Sequence, residues 1–149
     1  MAKRSWQGLV IHHTASPGGF WSKKDYRAID VEEVRRWHKN KGWSDIGYHY
    51  LILADGRIEA GRSTERDGAH TRASGRNRSH LGVALVGNFE QDVPSPEQME
   101  SLLVLSGRLK KEYGFGNVKI ELHREVQGAA TKCPGKLFPK EYFFQKLGG

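Results

Sequence analysis

The chain is short of everything that would cross-link it, carry it through a membrane or dedicate it to reading nucleic acid. Cys133 is its only cysteine, so no internal disulfide can form and folding does not depend on an oxidising compartment. No apolar run approaches the roughly 18 residues that read as a membrane-spanning helix. Met1-Ala2-Lys3-Arg4-Ser5-Trp6 turns polar before a secretory apolar region could form, so the expectation is a chain without its own export signal and without stable membrane association. Blocks of like charge are missing too. The basic residues are scattered and make no basic–aromatic stripe, which argues against DNA or RNA as partner. There is no internal repeat, low-complexity segment or linker.

What is present describes a globular domain. The 149 residues are 37% hydrophobic, with four Trp, five Tyr and six Phe. A chain of this length buries about two-thirds of its unfolded surface in one core, and a single domain over 1–149 is expected. Lys and Arg total 24 against 17 Asp and Glu, a net charge of +7. That balance favours an anionic partner such as nucleic acid, a membrane surface or a bacterial cell wall.

The pattern along the chain interleaves strands and helices. Gly8 to His12 is a short buried strand that runs into His13-Thr14-Ala15-Ser16 and breaks at Pro17-Gly18-Gly19. Asp30 and Glu33 form the signature of a capping box, with Val31, Val34 and Trp37 at helical spacing to about Asn40; His38 reads as structural. Gly47 to Leu53 alternates, turns at Asp55-Gly56 and returns through Arg57 to Ala60, which predicts a hairpin with Tyr48 and Tyr50 on one face. Residues 61–79 form a long polar loop, and His80 to Val86 is a central buried strand. Ser95-Pro96-Glu97-Gln98 starts a helix whose apolar face is Met99, Leu102, Leu103, Leu109 and Tyr113, stopped by Gly114. Val118 to Leu122 is a last strand, and Pro139 opens a final helix packing Tyr142, Phe143 and Leu147. The fold expected is α/β, a central mixed β-sheet with helices on both faces.

Chemistry concentrates in Leu122 to Gly135, where Cys133 stands ten residues after His123 and just before Pro134-Gly135. Thiolate and imidazole are good zinc ligands, and a third from elsewhere would leave the fourth tetrahedral position open, as catalytic sites require. His12 or His13 could supply it from the carboxyl end of the first strand. Neighbouring residues of a strand point to opposite faces, so only one of them easily faces a given metal. The competing reading of Cys133 is a small buried hydrophobe.

Five blocks taken together carry a resemblance: Val10 to Ala15, Gly47 to Tyr50, Gly68 to Thr71, Leu81 to Phe89, and His123 to Val126 with Thr131 to Gly135. In that order they resemble the zinc-dependent N-acetylmuramoyl-L-alanine amidases of the phage T7 lysozyme and peptidoglycan recognition protein type, over residues of about 8 to 144. The resemblance implies zinc ligands at His12, His123 and Cys133, and a catalytic tyrosine at Tyr48. It implies an oxyanion-stabilising role for Thr131 or its neighbour Lys132, and muropeptide contacts at His70 and Asn77. It also implies an endolysin-like peptidoglycan hydrolase, made in the host cytoplasm and acting at the wall once the inner membrane is breached; a monomer is expected. Two other classes stand beside it: a peptidoglycan-binding module without catalysis, and a basic regulator of nucleic acid or RNA polymerase. Retained ligand residues speak against the first, and no residue supports the second.

Overall fold

The structure, a computed structural model, describes residues 4–15 and 28–148, so the expected break at Pro17-Gly18-Gly19 lies outside the described residues. The elements follow in the order β1 (Gly8–His13), α1 (Val31–Asn40), β2 (Tyr50–Ile52), β3 (Ile58–Ala60), α2 (Arg76–Ser79), β4 (His80–Leu85), α3 (Pro96–Tyr113), β5 (Ile120–Leu122) and α4 (Lys140–Leu147). The sheet order is β3-β2-β4-β1-β5. Among the described residues only the β2–β3 hairpin is antiparallel; β2–β4, β4–β1 and β1–β5 are parallel. The mixed sheet of the expectation is therefore present, and both of its faces are covered.

One face carries Leu9, Ile11, Ile52, Leu81, Val83 and Leu85 against Met99, Leu102, Leu105 and Leu109 of α3 and Phe143 of α4. The other carries Leu51, Leu53, Ala84 and Val86 against Ile29, Ile46 and Val34 of α1. Each side chain of this size contributes about 1.5–3 kcal/mol when fully buried. Burial on both faces explains why β1 and β4 read as continuous apolar runs instead of alternating ones.

The helix ends follow local chemistry. Ser95 and Gln98 exchange side-chain and backbone hydrogen bonds at the start of α3, and Gly114 ends it at φ 79°. At α1 only half of the expected box forms. Asp30 accepts from the Glu33 amide, but the Glu33 carboxylate turns to the Trp37 indole and to Arg36.

Three expectations are corrected. Val118 does not belong to the last strand: it sits in a 3-10 turn (Asn117–Lys119), 86% exposed, before β5 begins. Tyr142 does not pack but faces out, while Phe143 and Phe144 fill the core. Tyr48 and Tyr50 do not share a face, because Tyr48 packs with Leu51 and Tyr50 packs on the opposite side. Period-two alternation fails there because the ladder with β3 begins only at Tyr50. Just before it, the Arg62 amide donates to the Tyr48 carbonyl and the Gly61 amide to that of His49.

Leu102 is fully buried beneath the sheet. Leu102→Ala is expected to destabilise the fold by about 2–5 kcal/mol. The measurement is the urea midpoint, which should fall with an unchanged slope.

Candidate metal centre

Parallel pairing of β1 with β5 sets Ile11 beside Leu122, so the next residues, His12 and His123, emerge together at the carboxyl end of the sheet. Their rings lie 4.6 Å apart. The loop after His123 folds back through an Arg124 amide to Cys133 carbonyl bond of 2.8 Å. That bond brings Cys133 Sγ to 3.7 Å from His12 Nδ1. One ligand atom from each of His12, His123 and Cys133 lies within 4.8 Å of the others.

The histidine doublet divides between the two faces. His12 points to the side covered by α1, against Tyr48 at 5.2 Å between ring centroids. His13 turns to the other side, where its Nδ1 accepts the Phe89 amide at 3.0 Å. The His13 amide in turn donates to Cys133 Sγ at 3.4 Å. His13 thus touches the sulfur through its backbone while its ring holds the loop after β4.

The donor set suits a divalent metal. With bonds of about 2.0 Å to nitrogen and 2.3 Å to sulfur, the ligand atoms of a tetrahedral zinc sit roughly 3.5 Å apart. The separation of Cys133 Sγ from His12 Nδ1 is close to that edge. His123 Nδ1 is buried without a hydrogen-bond partner among the described residues, a cost that a protein normally avoids and that a metal bond would remove.

The three residues line one side of a cavity of about 260 Å3, bounded also by Thr14, His38, Lys41, Trp43, Tyr48, His70 and Thr131. Arg62, itself buried, holds the chain leading to Tyr48 by donating to the carbonyls of Ile46 and Asp67 at 2.9 Å. The Tyr48 hydroxyl has no hydrogen-bond partner among the described residues. Thr131 Oγ1 accepts the Cys133 amide at 3.1 Å, which leaves its own proton available. Lys132 does not line this cavity. It lines an adjoining recess of about 520 Å3 with Glu90, Arg124 and Lys136, and Thr131 is shared between the two.

The two residues expected at a muropeptide sit differently. His70 lines the cavity, but both of its ring nitrogens are engaged: Nδ1 lies 3.0 Å from His12 Nε2, and Nε2 lies 3.0 Å from the His80 carbonyl. Asn77 does not line it; its Oδ1 accepts the amides of His70 and Thr71, both at 2.7 Å. Thr71, Lys41, Trp43 and Arg124 were not singled out by sequence reasoning. Trp43 and His38, 4.5 Å apart, flank the turn after α1, and the short spacing from Trp43 to Tyr48 was the available signal. His38 has the structural role expected, accepting the Gly47 amide at 2.8 Å, and it forms part of the cavity wall as well.

Burial dominates the electrostatics. It holds His12 well below the ordinary imidazole range, helped by the rings of His70, His123 and His13. It lowers His70 to about 3 and His13 to about 4. Burial also pushes the Cys133 thiol up to about 12, although the His13 amide and Arg124 favour the thiolate. The Tyr48 phenol is raised by burial and by Cys133 beside it. Neutral imidazoles are the form that can ligate, and a metal cation reverses the penalty on the thiolate.

Comparison with known proteins places these features in a lineage. A family model described as N-acetylmuramoyl-L-alanine amidase matches residues 2–136. The endolysin of Escherichia phage T7 is 34% identical over 137 residues, covering 89% of this chain and 82% of that protein. The endolysin of Enterobacteria phage T3 is 39% identical over 133 residues, covering 86% and 80%. Among solved structures, the endolysin N-acetylmuramoyl-L-alanine amidase LysCS from Clostridium intestinale URNW superposes with a TM-score of 0.79 at 34% identity. That match covers 96% of this chain and 84% of LysCS.

The buried imidazoles set the response to acid. His38, His49 and His80 are all held at about 4 by burial, against about 6.5 in an unfolded chain. Between those values the unfolded chain takes up more protons than the folded one. Stability is therefore complete above pH 6.5 and lost as the pH falls toward 4. The urea midpoint of metal-free protein should be level from pH 8 to 7 and drop steadily between pH 6.5 and 4.5. An unmoved midpoint over that acid range would contradict neutral buried rings.

Proposed function

This chain belongs to the N-acetylmuramoyl-L-alanine amidase family, and we propose that it hydrolyses the amide between N-acetylmuramic acid and L-alanine in peptidoglycan, with zinc held by His12, His123 and Cys133. The observation that carries the reading is the convergence of these three donors at an open cavity, with His123 Nδ1 buried and unpaired among the described residues. Bound there, zinc would supply Lewis acidity toward the scissile carbonyl and lower the pKa of water.

The chain's own residues account for the remaining steps. Tyr48 stays a neutral phenol under its raised pKa and can donate a hydrogen bond to the oxyanion that develops on the carbonyl. A well-placed donor of this kind is worth on the order of 3 kcal/mol. Thr131 faces the same cavity with a free proton, which supports it over Lys132 as the second donor. Lys132 belongs instead to the basic recess beside the site. Trp43 and Lys41 at the rim offer an exposed ring and a charge to a sugar–peptide substrate. The net charge of +7 adds a salt-sensitive attraction to an anionic wall. No helix among the described residues is long and apolar enough to cross a membrane. We place the action at the bacterial wall, reached from the host cytoplasm after the inner membrane is breached.

Zinc stabilises a site assembled only by folding. At free zinc about a thousand times the dissociation constant, linkage gives roughly 4 kcal/mol, seen as a melting temperature that chelator lowers. His12→Ala should lose zinc and activity, whereas His13→Ala should cost stability through the Phe89 amide yet keep the metal. Equal loss of zinc in both would show the ligand assignment to be wrong.

Digestion of peptidoglycan should release free amines without new reducing ends, since the glycan strands stay whole. Tyr48→Phe should fold and bind zinc normally while turnover falls by about a hundredfold. Wild-type turnover in that variant would make the phenol structural, and new reducing ends would make the protein a glycosidase.

A further inference from the structure

We propose that His70 is a positioning residue for His12: it fixes the tautomer of the His12 ring so that Nδ1 presents its lone pair toward Cys133 and His123. The proposal rests on the zinc reading for its purpose, but its geometry is a property of the chain alone.

The hydrogen bonds leave one consistent assignment. His70 Nε2 lies 3.0 Å from the His80 carbonyl oxygen, which can only accept, so Nε2 carries the ring proton and Nδ1 is bare. That bare Nδ1 lies 3.0 Å from His12 Nε2. Two bare nitrogens at this distance would repel, so His12 Nε2 carries the proton and donates it to His70. The other nitrogen of His12, Nδ1, is then the bare one. It is the atom 3.7 Å from Cys133 Sγ. Thr71 Oγ1, 3.1 Å from His70 Nδ1 and 3.4 Å from His12 Nε2, flanks the bond. A backbone carbonyl on β4 thereby dictates, through two rings, which nitrogen of a strand β1 residue can ligate. Outer hydrogen bonds of this type orient ligand histidines and raise their basicity.

The surroundings are shaped to hold the His70 ring. A Cβ added at Gly82 would stand 2.6 Å from His70 Cδ2, and one at Gly68 would stand 2.4 Å from the same atom. Both positions therefore have to be glycine for the ring to lie there. The His70 amide is tied to Asn77 Oδ1. Behind the ring, His49 is itself pinned between the Gly82 amide and the Arg66 carbonyl. A ring clamped on its faces and bonded at both nitrogens has no nitrogen left for a substrate.

The test compares wild type with His70→Asn, His70→Leu and Gly82→Ala. Asparagine keeps an acceptor near the position of Nδ1, leucine removes it, and Gly82→Ala displaces the ring without altering it. Two readouts apply: the zinc dissociation constant by competition with a chelating dye, and ring-nitrogen NMR of metal-free protein, which reports the His12 tautomer. Wild type should show His12 protonated at Nε2 alone. His70→Leu should show mixed tautomers and bind zinc about 10- to 100-fold more weakly. His70→Asn should retain the tautomer and most of the affinity, and Gly82→Ala should shift both in the direction of leucine. A folded His70→Leu with wild-type zinc affinity and an unmoved tautomer would overturn the proposal, as would a raised KM as its only effect. Should wild type bind no zinc, the metal reading fails, while the tautomer measurement still decides whether His70 sets the His12 ring.

Discussion

The backbone hydrogen bonds that hold β1 between β4 and β5 are the constraint on which the rest depends. They set the register that brings His12 level with Ala84 and one step beyond Leu122. From that register follow the closeness of His12 to His123, the place of His70 against β4, and the return of Cys133 beside the first strand. The apolar layers on either face stabilise the register more than they shape the site. The site itself sits where the parallel strands end and their loops diverge, as in other open α/β sheets.

Charge is managed here by exclusion. All seven histidines are held below their ordinary range, with burial as the first cause in every case. Neutral rings can accept amides, as His13, His38 and His49 do, or offer a lone pair to a metal. Imidazole thus serves as scaffold at His13, His38 and His49, while His12 and His123 keep the neutral form that the proposed metal site requires.

Much of this was legible in the sequence, for identifiable reasons. Strands β1 and β4 are read from uninterrupted apolar runs, and α3 from a full capping box and a glycine stop. The expected ligand set came from chemistry plus resemblance, because spacing alone left His12 and His13 equivalent; the structure brings His12, His123 and Cys133 together. Tyr48 and Tyr50 were misread because alternation presumes a ladder that starts only at Tyr50. Val118 was misread because a β-branched residue next to a strand carries the same local signal as one inside it. The contacts of His70 were out of reach, since they depend on a carbonyl ten residues on and a ring fifty-eight residues back.

The histidine doublet makes the register carry chemistry as well as packing. If β1 slipped by one residue so that His13 took the place of His12, the apolar side chains would exchange faces, and an imidazole would still arrive at the cavity. Such a misaligned sheet would keep the ligand type but lose the rest of the address. The amide of Phe89 would have no ring to meet, and Leu9 and Ile11 would leave the α3 layer. Discrimination between the two alignments therefore falls to residues with no part in the chemistry, and the core proofreads the active centre.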